Sequence, residues 1–308
     1  MILNTGNRTD IPAFYSEWFM NRVRQGFVLT RNPFVYNQVT KYLIDPEVVD
    51  AIVFCSKNPK PLLKHIEELK RFRMFWFVTI TPYGKEIEEK VPDKKDVIET
   101  FKELSGKIGP KVMSWQYDPV FISDKYPMEH HFKVFEKMAS ELEGYTEQVI
   151  ISYIDLYEKT RRNFPEAREV SRQEQAELTK YFVSVAGRHG MKVRMCHEDP
   201  CLSRYGADVE GCFTKKVLEE AIGERLIERR RPEARQGCNC LLNNDIGAYN
   251  SCGHLCRYCY ANYDRRLVYE NMAKHDPQSP LLIGNIEKGD IIKQAHQQSD
   301  IDDQLALF

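Results

Sequence analysis

The chain has 308 residues, 42% of them apolar, which suffices for one large core or two ordinary ones. A net charge of −1 excludes a bulk field toward nucleic acid or membrane, so any such contact must be local. No apolar run approaches the ~20 residues needed to cross a bilayer, and residues 1–10 lack the charged and apolar regions of a secretory signal. The expected setting is the cytoplasm, without membrane partners. Nine cysteines in a reducing compartment point to metal or redox chemistry rather than disulfides, and eight of them lie between Cys196 and Cys259.

In chain order, short β-branched and aromatic runs predict strands over 2–5, 51–54, 74–80, 112–122, 148–154 and 192–196. Between them, apolar stripes at helical spacing predict helices: Leu62, Leu63, Ile66 and Leu69; Val97, Ile98, Phe101, Leu104 and Ile108; Phe132, Phe135, Met138, Ala139 and Leu142; Leu178, Phe182, Val185 and Ala186. Segment 27–44 breaks the rhythm as a hairpin or an irregular insert. Repeated strand–helix units imply a parallel sheet with helices outside. Six strands suit a partial (β/α)6 TIM-type barrel over residues 1–200; an open doubly wound sheet is the alternative.

Polar clusters follow the predicted strands, at 6–10, 55–59, 79–84, 116–119, 152–155 and 196–200. Turn chemistry explains any one of them. Six at the same strand ends form a rim where active sites develop. Lys57, Asp118, Asp155 and Glu198 are the candidate cofactor-binding residues, with Arg8, Asp10 and His197 beside them. His130 and His131 open a helix and are expected to face solvent.

Residues 201–265 read as a cysteine-rich segment. Its centre is Cys252-Gly253-His254-Leu255-Cys256-Arg257-Tyr258-Cys259, a C-x3-C-x2-C motif. Spacing this short wraps one loop around one group and puts three thiolates on three irons of a 4Fe–4S cluster, the fourth iron staying open. The rival is a zinc site, with His254 as a further ligand. Cys196, Cys212, Cys238 and Cys240 form a second candidate set, for another 4Fe–4S cluster or zinc, and Cys201 is spare. The alternative is a group of buried free thiols.

The C-x3-C-x2-C motif, with Tyr258 before its third cysteine, resembles the signature of the radical S-adenosylmethionine superfamily. That superfamily uses partial (β/α)6 barrels. Here the motif follows the sixth strand rather than the first, so the order reads as circularly permuted, and no Gly-Gly-Glu follows the second strand. The arrangement is similar to an uncharacterised bacterial family with such a cysteine cluster at its C-terminal end. The phrases at 8–12, 56–59, 117–119 and 245–249, together with 256–261, carry that likeness. The resemblance implies S-adenosylmethionine as cofactor and a small electron-donor protein as partner, and it names no substrate.

Arg225, Arg229, Arg230, Arg231 and Arg235 make a basic run interleaved with glutamates, expected as a solvated helix face. Residues 266–308 read as a polar tail. Its end, Gln304, Leu305, Ala306, Leu307 and Phe308, resembles the pentapeptide by which bacterial repair and replication proteins bind the DNA sliding clamp. The leading expectation is a radical S-adenosylmethionine enzyme directed at DNA repair or nucleic-acid modification. Its rivals are a zinc-stabilised barrel hydrolase or nuclease and a non-catalytic, clamp-associated metal-binding adaptor.

Overall fold

In the computed structural model the described residues are 1–229 and 238–302. Arg230, Arg231, Arg235 and the pentapeptide Gln304 to Phe308 lie outside them. The strands are β1 (Ile2–Asn4), β2 (Phe27–Arg31), β3 (Gln38–Leu43), β4 (Ala51–Ser56), β5 (Met74–Thr79), β6 (Met113–Val120), β7 (Gln148–Tyr153), β8 (Lys192–Met195) and β9 (Ile291–Gln294).

Six of these form one sheet in the order β1-β4-β5-β6-β7-β8, and every pairing is parallel. The order never reverses, so the sheet lacks the switch point that defines a doubly wound one. Segment 27–44 is a hairpin: β2 and β3 pair antiparallel, and β9 adds in parallel to β3. The polar tail therefore supplies a strand to a small mixed sheet.

The helices are α1 (Ile11–Phe14), α2 (Ser16–Gln25), α3 (Lys60–Leu63), α4 (Ile66–Leu69), α5 (Lys94–Ile108), α6 (Met128–Leu142), α7 (Glu158–Asn163), α8 (Arg172–Arg188), α9 (Lys215–Ile222) and α10 (Arg265–Ala273). The stripe from Leu62 to Leu69 splits at His65 into two single turns rather than one helix. At the start of α8, Ser171 and Glu174 form a capping box that satisfies otherwise orphaned N–H groups.

Alternation along the strands divides the sheet into two faces. Ile52, Phe54, Trp76, Trp115 and Val149 pack on one side with Phe19, Leu62, Phe101, Phe135 and Phe182 from the helices. Ile2, Ala51, Val53, Phe75, Phe77 and Ile150 point the other way and are covered by Phe213, Val217 and Leu218. The segment after β8 thus closes the second face.

His131 departs from the expectation of a solvent-facing side chain: it is 0% exposed. Its Nδ1 lies 2.9 Å from the Tyr117 hydroxyl and its Nε2 2.8 Å from the Phe121 carbonyl. Two partners satisfy the ring, and burial holds its pKa down at about 4, as neutral imidazole. Arg225 and Arg229 lie in an extended stretch rather than a helix, and Arg229 pairs with Asp300 at 2.5 Å. No described helix is long and apolar enough to cross a membrane.

Candidate functional site

The ends of β1, β4 and β5 converge on the loop that carries Cys252, Cys256 and Cys259. After β1 the chain passes close over β4 at Gly6, where an added Cβ would lie 2.2 Å from the Cys55 Cβ; only glycine allows that crossing. It leads to Asp10, whose carboxylate caps α1 through the Ala13 N–H at 3.0 Å. The same carboxylate accepts the Lys57 N–H at 2.7 Å and stands 2.8 Å from His254 Nε2. One side chain thus joins the exits of β1 and β4 to the cysteine loop.

His254 is buried, with its Nδ1 facing the Lys90 carbonyl at 3.5 Å. Both ring nitrogens are engaged, which argues against His254 as a zinc ligand. The loop is stitched to residues 87–90 by Arg257 N–H to the Ile87 carbonyl at 3.0 Å and Lys90 N–H to the His254 carbonyl at 3.1 Å. Glu88 and Cys256 form an antiparallel bridge there.

Glu88 is the centre of this region. Its carboxylate accepts from Lys57 at 2.7 Å and from Thr81 at 2.8 Å, and also from Lys94 and the Tyr258 hydroxyl. Burial alone would raise its pKa, but the two ammonium groups outweigh that and hold it down at about 2. Burial likewise works against the charge on Lys57, yet Glu88 carries its pKa above the ordinary value; at Lys94 burial wins and the pKa is lowered. Lys57 and Lys94, with Glu88 between them, all stand within electrostatic reach of Cys256.

The three loop cysteines stand within electrostatic reach of one another. Burial pushes the Cys252 thiol up, and Asp10 and the other two thiols add to the shift. It does the same at Cys256, where Lys57 pulls in the opposite direction. Such thiols favour the neutral form until a cation replaces their protons.

The remaining candidates are spread along the rim. Asp118 accepts from the Ser152 hydroxyl and lies within electrostatic reach of Lys57. Glu198 accepts the Tyr153 N–H at 2.7 Å, joining the ends of β7 and β8. Asp155 is exposed and bonded to the Tyr157 hydroxyl at 3.2 Å. Arg8 pairs with Asp245 at 2.6 Å. The sequence reading passed over Glu88 and Lys94, because a charged run such as 85–90 looks like any solvated surface.

The second cysteine set also comes together. Cys212 and Cys240 have their sulfurs 3.2 Å apart. Cys212 also contacts Cys196, and Cys240 also contacts Cys238. Cys201 is exposed. Among the described residues no three Cys, His, Asp or Glu side chains already converge on a single point as ligands of one ion. The loop cysteines do not need to: a cuboidal cluster binds each thiolate to a different iron.

A profile for a domain of unknown function, DUF1848, matches residues 2–261. The chain belongs to the DUF1848 family. The DUF1848 match takes in all six strands of the main sheet and both cysteine groups, and ends before α10 and β9. No profile of the radical S-adenosylmethionine superfamily matches, and no functionally curated protein matches the chain.

Proposed function

We propose that this DUF1848 protein is a radical S-adenosylmethionine enzyme with a 4Fe–4S cluster on Cys252, Cys256 and Cys259. One observation carries the proposal: the C-x3-C-x2-C loop lies against the C-terminal ends of β1, β4 and β5, the edge where parallel α/β sheets place their chemistry. The sequential, unreversed strand order supports a partial (β/α)6 barrel, with the motif permuted to follow the sixth strand.

When bound, such a cluster supplies one electron to a sulfonium held at its open iron. The chain's own residues do the rest. Asp10 fixes His254 and with it the first half of the loop. Glu88 anchors Tyr258 and holds Lys57 and Lys94 beside Cys256. These ammonium groups offset the charge of the thiolates and can receive the carboxylate of the cofactor. Asp118, within electrostatic reach of Lys57, suits the cofactor's amino or ribose groups. Tyr83, Phe121 and Tyr258 form an aromatic wall, with Tyr83 stacked on Phe121 at 4.1 Å, that keeps water from this corner.

The test is anaerobic iron and sulfide analysis, with electron paramagnetic resonance of the reduced protein with and without S-adenosylmethionine. We expect about four irons lost on substitution of Cys252, Cys256 and Cys259, a spectrum altered by S-adenosylmethionine, and formation of 5′-deoxyadenosine. Reconstituted, reduced protein that forms no 5′-deoxyadenosine would remove the assignment.

A further inference from the structure

The second cysteine group lies on the face of the main sheet away from the helices. Its thiols come from three places: Cys196 at the end of β8, Cys212 before α9, and Cys238 and Cys240 on the strand-like return toward β1. Cys212 is 4% and Cys240 7% exposed, among Phe213, Val217, Leu218 and the inner residues of β1, β4 and β5. The contacts form a chain, Cys196 to Cys212 to Cys240 to Cys238.

Free thiols buried for packing need no sulfur neighbours, whereas these four form an unbroken run of them. Gly211, at φ +132°, makes room for the approach: an added Cβ would crowd Thr214 at 3.2 Å and the Cys240 sulfur at 3.4 Å.

The spacing selects the occupant. Zinc–sulfur bonds of about 2.3 Å in a tetrahedron place two thiolates about 3.8 Å apart. The Cys212 and Cys240 sulfurs, at 3.2 Å, need only a slight opening to share one ion. A 4Fe–4S cluster would drive them onto separate irons and out of mutual contact. No three of these thiols meet at one point in the fold as it stands, so binding has to draw the outer two, the partly buried Cys196 and Cys238, inward.

We propose that Cys196, Cys212, Cys238 and Cys240 form a structural site for one tetrahedral zinc ion, which pins the segment after β8 to the open face of the sheet. The ion replaces the thiol protons, releasing up to one per cysteine to solvent, and no electron moves.

The experiment uses the full chain with Cys252→Ala, Cys256→Ala and Cys259→Ala, so that the first site is absent. Metal content is measured after growth with zinc, and the absorption spectrum after replacement with Co2+. We expect about one zinc per chain and a cobalt spectrum with thiolate charge-transfer and tetrahedral d–d bands. Adding Cys212→Ser should lower zinc content at least tenfold, whereas Cys201→Ser should leave it unchanged. Where Cys212→Ser does not fold, the cobalt spectrum of the parent decides. Iron with sulfide in place of zinc, an octahedral cobalt spectrum, a metal-free parent, or zinc retained in folded Cys212→Ser protein would each overturn the proposal.

Discussion

The two faces of the main sheet are closed in different ways. On the helical face, Phe54 stacks on Trp76 at 4.2 Å and meets Phe19 edge-on, in a layer built from regular helices. On the opposite face, Phe75 and Phe77 meet Phe213 at 4.9 and 5.6 Å, delivered by irregular chain that also carries four thiols. The first face is held chiefly by apolar area, roughly proportional to what is removed from water. The second adds to its apolar cluster one short helix, α9, and long loops, so a cross-link there would order more chain. With the proposed zinc site, stability on one side is intrinsic and on the other is tied to a ligand.

The largest effect expected is from Phe54→Ala, about 3–5 kcal/mol for a buried aromatic truncated in a helical core. Denaturant midpoints should show it equally with and without a zinc chelator. Chelation alone should cost about 3 kcal/mol relative to free zinc at a hundred times its dissociation constant. The loss should register as new proteolysis within 212–229 and 238–242 while the helical face keeps its hydrogen-exchange protection. If chelation opens nothing there, apolar contacts hold both faces and the contrast disappears.

His131 gives the helical face an acid limit. Its pKa falls from 6.5 in the unfolded chain to about 4 in the fold. Above pH 6.5 both states are neutral and the contribution is complete. As pH falls toward 4, protons bind the unfolded chain first, so stability drops, by about 2 kcal/mol at pH 5. Stability measured against pH should lose that component in His131→Gln. Smallest is Ser171→Ala, which removes the capping box of α8 for about 1 kcal/mol and should shorten protection only in its first turn.

The same contrast explains what could be read from the sequence. All six strands were legible within a residue or two, because buried parallel strands are continuous apolar runs bounded by turns. The hairpin at 27–44 was legible as an interruption. Strand β9 was not, since Ile291 and Ile292 are two apolar residues in a polar tail and pair only because β3 offers an edge. The split at His65 and the burial of His131 were also hidden: each depends on contacts made at a distance. For the site, Cys252, Cys256 and Cys259 announce themselves through spacing, and Lys57 through its place after a strand. Glu88 could not be found this way. Its role comes from Lys57, Lys94 and Tyr258, which meet only when the rim is assembled.

The loop with the three cysteines makes its anchoring contacts with Asp10 and Glu88, more than 160 positions earlier in the chain. The strands, by contrast, each pair with the next to be made once the hairpin is set aside. Close pairings form cheaply and early, whereas closing so long a span waits for a finished surface to receive it. During synthesis the sheet can grow strand by strand while those thiols are still being translated. In the proposed enzyme, iron would then be loaded at the end of maturation, as an inspection that only a completed fold can pass.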